Sequence, residues 1–220
     1  MSILGAEILS GARAPGSRVL LAEELLSRFG ASRVLMREVT KTLVAKGLIS
    51  AKSRVGTHVL PPEYWNWFDP DVLAWRVRLG LDQAFFEHLA QMRRAVEPAA
   101  AALAALQRTD EHLREMRRAL RGMADSVDDR HAFVLADLAF HVAVAAASQN
   151  PLFRAFSGVV EVALGAYFTL STPIAIDAMR ENVARHTKVA NAIERGNPDA
   201  AHKAMINVID EGVNRVVKKR

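Results

Sequence analysis

The 220-residue sequence predicts a mainly α protein in two parts: a small N-terminal module of helices closed by a two-stranded ribbon, then a larger all-α antiparallel helical bundle. Three observations predict it. Turn signals punctuate the first third, at "APGS" (14–17) and "LPPEYWNWFDPD" (60–71). From about Phe68 onward, apolar residues recur at three- and four-residue spacing nearly to the end. Charge is divided unevenly: residues 1–60 hold nine basic against four acidic side chains, which is the whole net charge of +5, whereas residues 61–220 balance twenty against twenty. A basic module on a neutral one points to a polyanion partner for the first part only, with a solvated basic face as the alternative.

Within the first module, "LLAEELLSRFG" reads as a short helix stopped by Gly30, and Ser32 caps a second helix, "RVLMREVTKTLVAKG". Two short β-prone runs around "KSRVG" follow as a hairpin, with Gly56 available for the bend. Helix, tight turn, helix and ribbon in about sixty residues make a winged helix-turn-helix. In the second helix Arg33, Arg37 and Lys41 recur at i, i+4 and i+8, and Val34, Val39, Leu43 and Val44 are expected to pack on the opposite side. A cationic stripe on a short amphipathic helix suits a DNA major groove; a plain solvated face is the bland reading.

Residues 61–80 read as an aromatic-rich linker holding all three tryptophans, expected to cement two domains, 1–60 and 81–220. In the second, helices are expected over roughly 82–107, 109–124, 129–149, 151–171, 174–195 and 198–218. Pro151, Pro173 and Pro198 fall at or near helix starts, where a missing amide proton costs little. There is no cysteine, which removes disulfides and thiolate chemistry and fits a reducing cytoplasm. The opening apolar run is too short for a signal peptide, and no uncharged window approaches the ~18 residues of a membrane span, so no membrane partner is expected.

One constellation carries chemistry. In "DLAFHVAV" (137–144) Asp137 and His141 lie one helical turn apart on an otherwise apolar face. Buried there, they must pair with each other, with other polar groups or with a metal; spacing alone leaves all three open.

The head sequence, "PGSRVLLAEELLSRFGASRVLMREVTKTLVAKGLISAKSRVGTHV", resembles the DNA-binding module of GntR family bacterial transcriptional regulators. "MRRAVEPAAAALAA", "DLAFHVAVAAASQNP" and "RHTKVANAIERGNPDAAHKAM" resemble the FCD effector domain of the FadR subgroup. The resemblance implies DNA contacts from Ser32, Arg33, Arg37 and Lys41 on the recognition helix and from Arg54, Gly56 and Thr57 at the wing. Where relatives carry Thr or Ser and Pro, this helix has Val34, Leu35 and Met36, which favours apolar contacts such as thymine methyls.

For the second domain, the resemblance implies that Asp137, His141 and His186 are metal ligands. The family's fourth ligand, a histidine, falls on Val208, which cannot ligate; His202 is poorly placed to substitute, and Glu211 lies one turn further on. Three ligands can hold zinc, manganese or nickel at lower affinity, or bind an effector directly. Arg93, four residues before Glu97, corresponds to a cavity-facing arginine suited to a carboxylate, with a surface ion pair as the alternative.

A weaker likeness is to galactonate-responsive repressors of sugar-acid catabolism. The expected protein is then a cytoplasmic homodimer on a palindromic operator, released or recruited by a small carboxylate effector that changes the spacing of the two heads. Another organic acid or acyl ligand on the same fold is the alternative. A metal-dependent enzyme at Asp137, His141 and His186 is the rival class, disfavoured by the basic winged head.

Overall fold

A computed structural model of the chain describes residues 1–19, 27–28, 30, 32–52, 55–80, 82–170 and 175–217. The expected helix over 20–30, apart from residues 27, 28 and 30, lies outside the described residues, as do Arg54 and Pro173. The chain divides into two compact units, Met1–Gly80 and Leu81–Arg220.

In the first unit the segment before "APGS" forms a helix that the sequence reading did not anticipate, α1 (Ser2–Leu9), burying Leu4, Gly5 and Ile8. Gly5 lies against the Trp75 ring so closely that a Cβ there would come within 2.2 Å of it. The next described helix, α2 (Arg33–Ala45), starts on Ser32, whose hydroxyl accepts a hydrogen bond from the Leu35 amide at 3.2 Å. It ends in a Schellman turn: Gly47, at φ +70°, donates to the Val44 carbonyl (2.9 Å) and Leu48 donates to that of Leu43 (3.0 Å).

The ribbon follows as antiparallel strands β1 (Ile49–Lys52) and β2 (Gly56–Val59), with Ile49 opposite Val59 and Lys52 opposite Gly56. Residues 17–19 add a short third edge, since Val19 donates to the Thr57 carbonyl and Val59 to that of Ser17.

Residues 61–80 supply Trp65, Val72 and Trp75 to one core with Met36, Val39, Leu43 and Leu48. They include a helix within the helical spacing that begins at about Phe68 but outside the expected spans, which begin at 82: α3 (Pro70–Arg78), capped by Asp69 through the amides of Asp71 and Val72.

Two expectations about the head need correction. Val34 and Val44 do not pack inward: they are 72% and 42% exposed, and Met36 takes the inward place beside Val39 and Leu43. The reason is helical phase. Positions 36, 39 and 43 share one side, and 34 falls almost opposite. Lys46, counted among the basic residues of the head, is buried; its ammonium pairs with Asp69 at 2.6 Å and Asp71 at 2.7 Å and lies over the Trp75 ring. It is neutralised within the fold.

The second unit is helical throughout its described residues: α4 (Gln83–Gln107), α5 (Asp110–Asp125), α6 (Arg130–Ala147), α7 (Pro151–Ala155), α8 (Ser157–Leu170), α9 (Ile176–Glu194) and α10 (Pro198–Val217). The single helix expected over 151–171 is divided at Phe156. Side-chain caps set several starts: Asp82 on the Phe85 amide, Asp129 on those of His131 and Ala132, and a reciprocal Thr109–His112 capping box.

Short turns make neighbours antiparallel, α5 against α6 and α9 against α10, while α4 packs on α6, α8 and α10. The core is built from Met116, Met123, Phe133, Phe140, Ile193, Met205 and many alanines, whose small side chains let helix backbones approach. Among the described residues α6 alone is long and apolar enough to cross a membrane, yet it carries Asp137 and His141 on its buried side.

Candidate functional site

In the head, one stripe of basic groups runs along α2. Ser32, Arg33, Arg37 and Lys41 are exposed along α2, and Lys41 makes an exposed ion pair with Glu38 at 2.8 Å. Gly56, at φ +98°, opens β2, and Thr57 beside it is half-buried. One further basic group lies at the ribbon: Arg18 is exposed, pairs with His58 along its edge, and runs past Gly56 so that a Cβ there would lie 3.5 Å from its Nε. Its signal in the sequence is a cation directly after the "PGS" turn, a position that only the third edge of the ribbon turns towards the wing.

In the helical unit the structure brings together the four residues expected to hold a metal or an effector. Asp137 and His141 come from α6, His186 from α9 and Arg93 from α4; all four are buried. One ligand atom from each of Asp137, His141 and His186 lies within 4.8 Å of the others. Asp137 Oδ1 is 2.8 Å from His186 Nε2 and 3.6 Å from His141 Nε2, and the two Nε2 atoms are 3.3 Å apart. Neither approach to Oδ1 is aligned as a hydrogen bond, so that buried oxygen receives no donor despite the short distances.

Proton placement explains the convergence. His186 Nδ1 lies 2.8 Å from the Asn182 carbonyl and donates its proton there, which turns Nε2 towards Asp137 and His141. His141 Nδ1 meets the Glu97 carboxylate in a close ion-pair contact, although it is not in line for a hydrogen bond, which places a proton on that nitrogen too. With both Nδ1 atoms so engaged, the two Nε2 atoms and a carboxylate oxygen face one another. Such a set is stable only with positive charge beside it, from a proton, a divalent cation or the Arg93 guanidinium, which lies 3.3 Å from His141 Nε2.

Glu97 is the residue whose role the sequence did not disclose. Its pairing with Arg93 was anticipated as a surface alternative, but the pair is buried, with both side chains at most 10% exposed, and Arg93 also lies 3.3 Å from His141 Nε2. Burial alone would raise the Glu97 carboxyl, but the charges of Arg93 and His141 and the hydrogen bonds from Arg93 hold it at about 2. Burial likewise opposes charge on His141, yet Glu97 and Asp137 raise its imidazole to about 9. Asp137 would be pushed up by burial, but His186 and His141 keep it well below the usual carboxylate range.

A partly open pocket lies against this cluster. Arg93, Asp137, His141, Asn182, His186 and Glu211 give it a polar wall, and Phe86, Leu164 and Ile209 an apolar one. Val208, in the place of the fourth family ligand, lines it as an apolar side chain; Glu211, one turn on, lines it as a carboxylate and lies 3.7 Å from Arg185. Asn182 carries no motif that would single it out in the sequence. It reaches the cavity because it precedes His186 by one helical turn.

Comparison with known proteins agrees with this architecture. Residues 2–59 match the family described as bacterial regulatory proteins, gntR family, and residues 88–211 match the FCD domain. The galactonate operon transcriptional repressor of Escherichia coli strain K12 is 32% identical over 213 residues, covering 97% of this chain and 93% of that protein. The HTH-type transcriptional regulator LutR of Bacillus subtilis strain 168 is 30% identical, covering 90% and 91%. Among solved structures, Lar of Listeria monocytogenes superposes with a TM-score of 0.65 at 15% identity, covering 100% of this chain and 98% of that one, and a Streptococcus agalactiae GntR with 0.55 at 21%, covering 97% and 99%; these two show the fold. The relatives are named as transcriptional regulators and not as enzymes. A winged head at the N-terminus and a helical unit enclosing an Asp–His–His cluster are thus the two halves of one known design: the chain belongs to the GntR family of bacterial transcriptional regulators, with an FCD effector domain.

Proposed function

We propose that this regulator is a cytoplasmic repressor whose operator binding is controlled by a small hydroxylated carboxylate, a sugar acid of the galactonate kind, held in the cavity of the helical unit. The observation that carries the reading is the buried Arg93 guanidinium beside the Asp137–His141–His186 cluster in one cavity wall. The planar fork of an arginine matches the two oxygens of a carboxylate. The cluster offers acceptors and a cation for hydroxyl groups, and the apolar wall excludes water from the carbon chain. The relative that is a galactonate operon repressor makes a sugar acid the first choice of effector.

The donor set fits a divalent metal, zinc, manganese or nickel, held by Asp137, His141 and His186. Such an ion would supply a Lewis-acidic point for an effector oxygen. Glu97 and the Asn182 carbonyl orient the two imidazoles from behind, and Val208 leaves the family's fourth donor place apolar.

At the operator, Ser32, Arg33, Arg37 and Lys41 of α2 contact one half-site of a palindrome; Arg54, Gly56 and Thr57 at the wing contact the adjoining backbone or minor groove, and a homodimer supplies the second half-site. Thermal-shift titration with sugar acids, with and without divalent metals, tests the pocket; a mobility shift on the protein's own promoter tests release. The reading requires a sugar acid that both raises the melting temperature and changes DNA binding, with Arg93→Met losing both effects. If organic acids of another class do this and no sugar acid does, the effector assignment is wrong. Metal content measured with a His186→Ala control decides the metal separately.

A further inference from the structure

An apolar residue stands at the centre of the face that this head turns outward. On α2 the inward line is set by Met36, Val39 and Leu43, and helical phase puts Val34 almost diametrically opposite, in line with Lys41 and between the directions of Arg37 and Glu38. Val34 is accordingly 72% exposed, and Leu35, on the flank, is 53% exposed. An isolated surface valine needs no explanation, but this one lies among the cations that give the helix its affinity for a polyanion, and beside a second exposed aliphatic side chain.

We infer that Val34 reads a thymine 5-methyl group in the operator, with Leu35 excluding water at its edge. This rests on the assignment of α2 to the major groove. In that groove each base pair displays a distinct edge, and the thymine methyl is its apolar feature. A branched aliphatic side chain cannot donate or accept a hydrogen bond, so sequence is discriminated by burial of one methyl against another, and the position disfavours cytosine, whose edge carries an amino donor and no methyl. Arg33 and Arg37 supply phosphate or guanine contacts around this apolar centre. Met36, which the sequence groups with Val34 and Leu35, takes no part because it is in the core.

The test uses the full-length protein and duplexes recovered by selection from random sequence. Each thymine in the selected half-site is replaced by deoxyuridine, which removes only the methyl. At one thymine the wild-type protein should lose about fourfold in affinity, the value expected for burying a single methyl. Val34→Ala should bind the thymine duplex more weakly than wild type and be insensitive to the same replacement. Because Val34 is exposed, this variant should keep the parent's helical circular dichroism. Uridine substitution without effect at every position overturns the inference and leaves the DNA-binding assignment standing, as does an unchanged sensitivity in Val34→Ala. Failure to select any duplex overturns both.

Discussion

Glu97→Gln isolates the one carboxylate that holds the site together from behind. The side chain is buried, pairs with the buried Arg93 and touches His141 Nδ1, so the substitution leaves volume nearly unchanged while stranding a guanidinium in the interior. Two routes give the magnitude. Removing one member of a buried ion pair costs about 3–5 kcal/mol. Lowering the carboxyl from 4.5 to about 2 corresponds to about 3 kcal/mol.

At about 3 °C per kcal/mol for a unit of this size, the transition of the helical unit should fall by roughly 10 °C. Differential scanning calorimetry reads this directly. Replacing Arg93 and Glu97 together by methionine should recover much of the loss, because both charges leave at once. The exposed ion pair of Glu111 with Arg114 is the internal control, and Glu111→Gln should leave the transition unmoved. Should Glu97→Gln melt within about 2 °C of the parent, the buried network is not a structural element of the unit and the reasoning fails.

Further predictions concern the head. Asp69 is pushed up by burial but lowered overall by the hydrogen bonds from Lys46 and the Val72 amide, so its contribution is complete above its unfolded pKa near 4 and lost as pH falls through the lower folded value. Acid unfolding of the head should steepen there, and Asp69→Asn, which keeps the capping oxygen of α3, should flatten that limb and cost about 2 kcal/mol at pH 7, read by urea titration. Gly47→Ala should be severe, at least about 2 kcal/mol, because the backbone is at φ +70° and a Cβ would lie 2.1 Å from the Tyr64 carbonyl oxygen; retained stability would contradict the turn geometry. Arg37→Ala should weaken DNA binding and, if it contacts phosphate, reduce the salt slope by about one; an unchanged slope with altered base preference would make it a base contact instead.

Much of the site was legible because its parts repeat at helical spacing. Asp137 and His141 announce themselves by sitting four apart on an apolar face, and the resemblance of "RHTKVANAIERG" to an FCD segment supplied His186. The described helices of the bundle follow the apolar period closely, because each must bury one stripe and the breakers between them are strong. The period misled in α2, where apolar residues occupy both sides of a short helix and cannot be assigned a direction from spacing alone: Val34 and Val44 look outward and Met36 inward. The tryptophans of 61–80 gave no sign of which core they would enter, since an aromatic side chain is equally suited to a linker or an interior.

The sequence by itself determined the fold class, the uneven charge, the capped helices and the Asp137–His141 pair, because each depends on local spacing and residue chemistry, whereas His186 followed from the resemblance to the FCD domain. Only the tertiary structure decided what those groups meet. Lys46 is a surface cation in the sequence and a buried partner of two aspartates in the fold; Arg93 and Glu97 are an ordinary helical pair in the sequence and the support of a histidine from another helix in the fold. Burial and charge compensation arise from residues distant along the chain, and no local pattern carries that information.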